Sequence, residues 1–176
     1  MFKYFFLIIF NLIFVVYLIT PVKSLPPLTN SVKSLEPGDT VQLKNVEGFY
    51  TNQSRTEVMN FYRSQIDDFF YFRLNHPPEK AKEIIKDTIQ SYYLEEYIIP
   101  FKQSIFVNGY EWENDVFTKP EKRIKNKLFY ENKEYRSKIT IKTFTPKNWQ
   151  KIVALITTEV GLYAIYRLLK STIKHD

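Results

Sequence analysis

Ile105-Phe-Val-Asn-Gly-Tyr-Glu-Trp112 is the stretch on which the fold turns. Asn108-Gly109 stands there between two runs of apolar and aromatic residues. Both central residues of a type I′ turn need φ > 0, and Asn-Gly meets that need at the least cost. The reading is a β-hairpin with its turn at 108–109. Beyond it, residues 114–127 are charged, contain Pro120 and are expected to form a mobile loop. Leu128 to Tyr130, then four polar residues, then Tyr135 to Phe144 reads as a second hairpin. Ile139 and Ile141 alternate with Lys138, Thr140 and Lys142, the period-2 pattern of a strand with one buried and one wet face.

On the other side of 105–112 the pattern switches between strand and helix. Thr40 to Tyr50 has strand character through Val41, Leu43 and Val46. Ser54-Arg-Thr-Glu57 is a capping box opening a helix whose apolar face is Val58, Phe61, Tyr62 and Ile66. Phe69 to Leu74 is apolar at nearly every position and reads as a strand buried on both faces. His76-Pro-Pro-Glu79 starts a second helix, with Ala81, Ile84, Ile85, Thr88, Ile89 and Tyr92 as its stripe. The expected fold class is α+β, a mostly antiparallel sheet with two helices on one face.

Two apolar segments flank this domain. Tyr4 to Ile19 carries one polar residue, Asn11, and Lys3 precedes it. Extended to residues 2–20 it would make about 28 Å of helix, near the ~30 Å of a bilayer core. An uncleaved anchor and a signal peptide compete here, since Val22-Lys23-Ser24 offers small residues for a cut. The anchor is the favoured reading. Ile152 to Leu169 is largely apolar, with Trp149 and Lys151 before it, Arg167 near its end, and Lys170 and Lys174 after it. Glu159 interrupts it, at a cost of about 2.5–3.5 kcal/mol on insertion scales. A transmembrane helix is favoured over an amphipathic helix lying on a surface. The boundaries expected are an anchor at 1–21, a Pro- and Ser-rich linker at 22–39, the α+β domain at 40–146, and a C-terminal transmembrane helix with a basic tail at 147–176. Basic residues at both ends place both termini in the cytoplasm and the domain outside.

If both segments span, Asn11 and Glu159 share a depth near the midplane. Their pairing is the expected link between the helices. Ala154, Thr158 and Gly161 form a small-residue stripe suited to helix packing, turned away from Glu159 by helical phase.

The 176 residues carry a formal charge of +6. Residues 25–146 hold 18 basic and 17 acidic side chains, so the excess belongs to the flanks and not to a nucleic-acid-binding patch. Lys exceeds Arg 19 to 6 and Ala is limited to 3, so the many Phe and Tyr follow from A/T-rich codons before any binding platform. The chain has no Cys, which excludes disulfides, zinc-thiolate sites and thiol catalysis.

Phe49-Tyr50-Thr51, Ser54 and Glu57-Val-Met-Asn-Phe61-Tyr62 resemble a segment of bacterial envelope proteins and lipoproteins, in which a strand ending in an aromatic-x-Thr/Ser pattern precedes an E-V-x-x-F-Y helix. Pro100 to Tyr110 is similar to a segment of uncharacterised proteins of candidate-phylum bacteria that carry an anchor at each end. The resemblance covers a minority of the chain. It implies a membrane-anchored domain of unknown function in a bacterial cell membrane, and it brings no catalytic residue.

No P-loop, GxGxxG, HExxH or GxSxG is present. His76 before Pro-Pro, Asp67 and Asp68 at a helix–strand junction, and the pairs Glu95/Glu96 and Glu111/Glu113 all read as structural or solvated. Asn52-Gln-Ser54 is a glycosylation sequon that overlaps the helix cap. No catalytic residue, cofactor or metal is expected. The partners expected are the lipid bilayer and a membrane or envelope protein, with no nucleic acid. A non-enzymatic extracytoplasmic binding module is the first reading. An accessory subunit of a membrane transport or export complex is the alternative, and an envelope enzyme the third.

Overall fold

The computed structural model describes residues 2–37, 39, 43–85 and 92–172. Val41 of the first expected strand, and Thr88 and Ile89 of the second helical stripe, lie outside the described residues. The chain divides into two units, Ser24–Phe144 and a helical unit of residues 1–23 with 145–176.

The larger unit is an α+β domain. Its strands are β1 (Ser31–Lys33), β2 (Val46–Thr51), β3 (Phe72–His76), β4 (Tyr93–Ile99), β5 (Gln103–Glu111), β6 (Leu128–Tyr130), β7 (Lys133–Tyr135) and β8 (Ser137–Phe144). Six of them form an antiparallel sheet in the order β1-β2-β8-β5-β4-β3, and β6-β7 is a separate hairpin. Helix α2 (Arg55–Ser64) opens on the expected capping box: the Ser54 hydroxyl accepts the Glu57 amide and the Glu57 carboxylate accepts the Ser54 amide at 2.7 Å. Helix α3 (Ala81–Ile85) follows a 3₁₀ turn at Pro78–Lys80.

Asn108-Gly109 is not a turn. Strand β5 runs straight through it, with Asn108 opposite Leu94 and Gly109 opposite Tyr93. The glycine answers to packing instead. A Cβ at Gly109 would lie 2.1 Å from the Tyr93 ring, so the missing side chain makes room for the aromatic. The turn into β5 lies at residues 100–102, closed by the Lys102 amide on the Ile99 carbonyl at 3.0 Å. Phe101 takes φ 61° there. The two-residue turn with both φ values positive is Glu131-Asn132, in the β6-β7 hairpin.

The two helices lie on opposite faces of the sheet, not on one. Side chains alternate along a strand, and the register fixes the rest. Phe49, Tyr93, Tyr97, Ile105, Val107, Ile139 and Ile141 point one way and meet Val58, Met59 and Tyr62 of α2. Leu94 and Phe106 point the other way and meet Ala81, Ile84 and Ile85 of α3. With both faces covered, Tyr93 to Ile99 is buried at nearly every position.

Three further expectations change. Strand β3 is an exposed edge and not a doubly buried strand, because among the described residues it pairs with β4 alone. The stretch read as a linker contributes β1 and places Leu28 in the core. Residues 114–127 are held rather than loose: Arg123 donates to the Thr118 and Glu113 carbonyls, and the Asn126 amide donates to Asp115 and Thr118.

The helical unit contains α1 (Phe2–Ile19) and α4 (Asn148–Thr172). They meet at one end. The buried Lys151 ammonium donates to the Leu18 carbonyl at 3.0 Å. That oxygen is among the last-turn carbonyls of α1, which the helix itself leaves unbonded, and a cation suits the negative end of the helix dipole. Of the two, α4 alone is long and apolar enough to cross a membrane; Phe5–Ile19 is a shorter apolar helix. The expectation of two flanking spans is thereby corrected to one.

Candidate functional site

The feature that soluble packing does not explain is α4. At 25 residues it is about 37 Å long. From Ile156 to Thr172 every residue is exposed, including Ile156, Val160, Leu162, Tyr163, Ile165, Leu168 and Leu169. A helix apolar on all sides belongs in a core or in lipid.

Glu159 stands in the middle of this surface. It is exposed, and among the described residues it makes no hydrogen bond or ion pair. Asn11 is not joined to it: the Asn11 amide donates to the Leu7 carbonyl of its own helix at 3.1 Å. Thr158 likewise turns inward on its helix and donates to the Ala154 carbonyl at 2.8 Å. A Cβ at Gly161 would meet nothing within 4 Å, so the small-residue stripe is open along that length.

The polar groups of the α+β domain are gathered differently, into fasteners. Glu95 is buried between Arg55 at 2.7 Å and Arg73, which joins α2 to the sheet edge. Burial pushes its carboxyl up, but the hydrogen bonds from Arg73 and Arg55 outweigh that and hold it below the usual carboxylate range. Glu96 points to the opposite face and meets His76 Nε2 at 2.8 Å. Glu95 and Glu96 therefore never form a carboxylate pair, because adjacent strand residues face opposite ways.

A second fastener sits under β1. Lys138 Nζ lies 2.9 Å from both Glu36 and Asp39. Tyr50 donates to Glu36 at 2.6 Å and stacks on Tyr130 with centroids 4.6 Å apart. Ser34 donates to Asp39, whose carboxylate rests on Gly48 where a Cβ would stand 2.7 Å away. Burial raises the Glu36 carboxyl, and the bonds from Tyr50 and Lys138 bring it below the usual range. Burial acts against the charge of Lys138, and the two carboxylates more than restore it, raising its affinity for a proton.

Asp68, Glu111, Glu113 and Asn52 are also engaged. Asp68 pairs with Lys102 at 3.2 Å. Glu111 accepts the Asn114 amide and lies 3.8 Å from Arg136, which also approaches Glu113 at 3.7 Å. Asn52 accepts the Arg136 amide at 2.9 Å. Among the described residues no group of three His, Asp or Glu side chains converges as a metal site would need. Glu95, Glu36 and Lys138 were not separable from solvated charges in the sequence, since their partners arrive through sheet register.

Comparison with protein-family models, with curated proteins and with solved structures gives no match in any of the three.

Proposed function

We propose that the chain is a membrane-anchored module of a bacterial envelope whose α+β domain acts outside the cytoplasm by binding, without catalysis. The observation that carries this reading is α4, apolar and exposed on every side over a length sufficient to span a bilayer. The basic residues Arg167 and Lys170 at its end favour a cytoplasmic C-terminus. The shorter α1 is held to α4 by the bond from Lys151 to the Leu18 carbonyl.

The absence of Cys makes the topology directly testable. Single cysteines replace the exposed Asn60 and Thr172, and intact cells are treated with an impermeant maleimide. Labelling at 60, and at 172 only after the membrane is opened, is the expected result. Labelling at both in intact cells means α4 does not cross. No labelling at 60 until lysis puts the domain in the cytoplasm, and either outcome overturns the proposal.

One observation favours a second reading, an accessory subunit of a membrane transport or export complex. Glu159 lacks an ion-pair partner among the described residues, and a carboxyl at bilayer depth needs one from elsewhere. Co-purification of a large membrane partner that is lost in Glu159→Leu is the result this reading expects.

A further inference from the structure

The two edges of the main sheet are built differently. Strand β1 has three residues, and Lys33 at its end pairs with Glu47 at 2.8 Å. Short length and charge are the usual protection of an edge. Strand β3 has five residues and neither device. Its one charge, Arg73, is drawn in to Glu95. Its other face shows Phe72 and Leu74, which are 49% and 43% exposed, and Phe70 and the fully exposed Phe69 continue the apolar row. Among the described residues β4 is the only strand paired with β3.

We propose that β3 is a homodimer edge, which pairs antiparallel with β3 of a second copy of this chain about a two-fold axis at Leu74. The pattern selects this partner and this register. Residues opposite one another in an antiparallel ladder have the same hydrogen-bonding direction. Two identical strands must therefore pair about a residue and not between residues. An axis at Arg73 sets Arg73 against Arg73 of the second copy, like charges directly opposed. An axis at Asn75 runs the ladder into Pro77, which has no amide hydrogen to donate. An axis at Leu74 pairs all five residues: Leu74 with Leu74, Phe72 with His76, and Arg73 with Asn75. No like charges meet, the apolar side chains share one face, and the isologous contact closes on itself. A ladder this short buries less than the roughly 1,200 Å² of a stable complex, so the dimer is reversible and concentration-dependent. The pairing does not depend on the proposed anchor.

The full chain is tested in detergent and in its own membranes. Leu74→Cys puts the only thiols on the two-fold axis, where opposite Cα atoms stand about 4.5–5.5 Å apart, inside the range of about 4.4–6.8 Å that a disulfide spans. Mild oxidation is expected to give a covalent dimer, and Asn60→Cys on α2 is expected to give none. A thiol at position 74 that stays reduced and reacts with maleimide means the edge is free. Cross-linking to a chain of another mass means a different protein supplies the strand. A thiol neither oxidised nor reactive means lipid or another cover occupies the edge. Each of those three results overturns the proposal. As a second measure, sedimentation in detergent should show a concentration-dependent dimer for the unmodified chain and its loss in Leu74→Lys, with an unchanged circular dichroism spectrum. A monomeric unmodified chain, or a Leu74→Lys chain that still dimerises, would also overturn it.

Discussion

Two buried tyrosines separate what a hydroxyl does from what a ring does. Tyr97 donates to the Met59 carbonyl at 2.9 Å and ties β4 to α2. Tyr62 is equally buried, and among the described residues its hydroxyl has no partner. Tyr97→Phe removes a made bond and is expected to cost about 1 kcal/mol. Tyr62→Phe removes only an unsatisfied group, and its stability is expected at or above that of the unmodified chain. Urea unfolding of the two variants in detergent, read against the unmodified chain, checks the sign of each. Neither role was legible in the sequence, where Tyr62 reads only as part of the apolar face of α2. The same holds for Phe101: nothing about a phenylalanine announces a left-handed turn residue, while Asn108-Gly109 announced a turn that packing against Tyr93 overrules.

At the scale of elements, β5 and the clamp on β4 carry the energetics. Gly109→Ala drives a methyl group into the Tyr93 ring and is expected to destabilise by roughly 1–3 kcal/mol. The double variant with Tyr93→Val is expected to recover part of that loss, a coupling that a double-mutant cycle measures. The carboxyls of Glu95 and Glu36 are held below their ordinary value of 4.5 in the folded chain. A depressed folded value means the stabilisation is complete above pH 4.5 and is lost as the pH falls through the folded values. Stability should therefore decline in acid below that point. In Arg55→Gln/Arg73→Gln the buried Glu95 stands without a cation, so the loss should be on the order of 3 kcal/mol at neutrality and should shrink as acid protonates the carboxyl, which removes the contribution of Glu95 to the acid limb. Thermal unfolding followed from neutral pH down into the acid range tests both statements. The capping box of α2 and the Ile139–Ile141 alternation were legible because they are local. The clamp was not, because Arg55, Arg73 and Glu95 meet only after α2 has crossed the sheet.

At the scale of the whole molecule, the prediction falls on α4. Replacing Glu159 with Leu removes an insertion penalty of about 2.5–3.5 kcal/mol. Glu159→Leu should therefore resist alkaline extraction from membranes at least as well as the unmodified chain. Release of the variant into the soluble fraction would contradict α4 as a span. The sequence by itself determined the apolar C-terminal helix, the α+β class, the antiparallel strands and the cap of α2. Each of these depends on periodicity or on neighbours a few residues apart, which composition and spacing record directly. Only the tertiary structure decided the strand order, the course of β5 through Asn108-Gly109 and the placing of α2 and α3 on opposite faces. It also decided which carboxylates are buried and which strand is left at the edge. Those features depend on which residues stand opposite one another across the sheet, and that register comes from long-range packing that no local window contains.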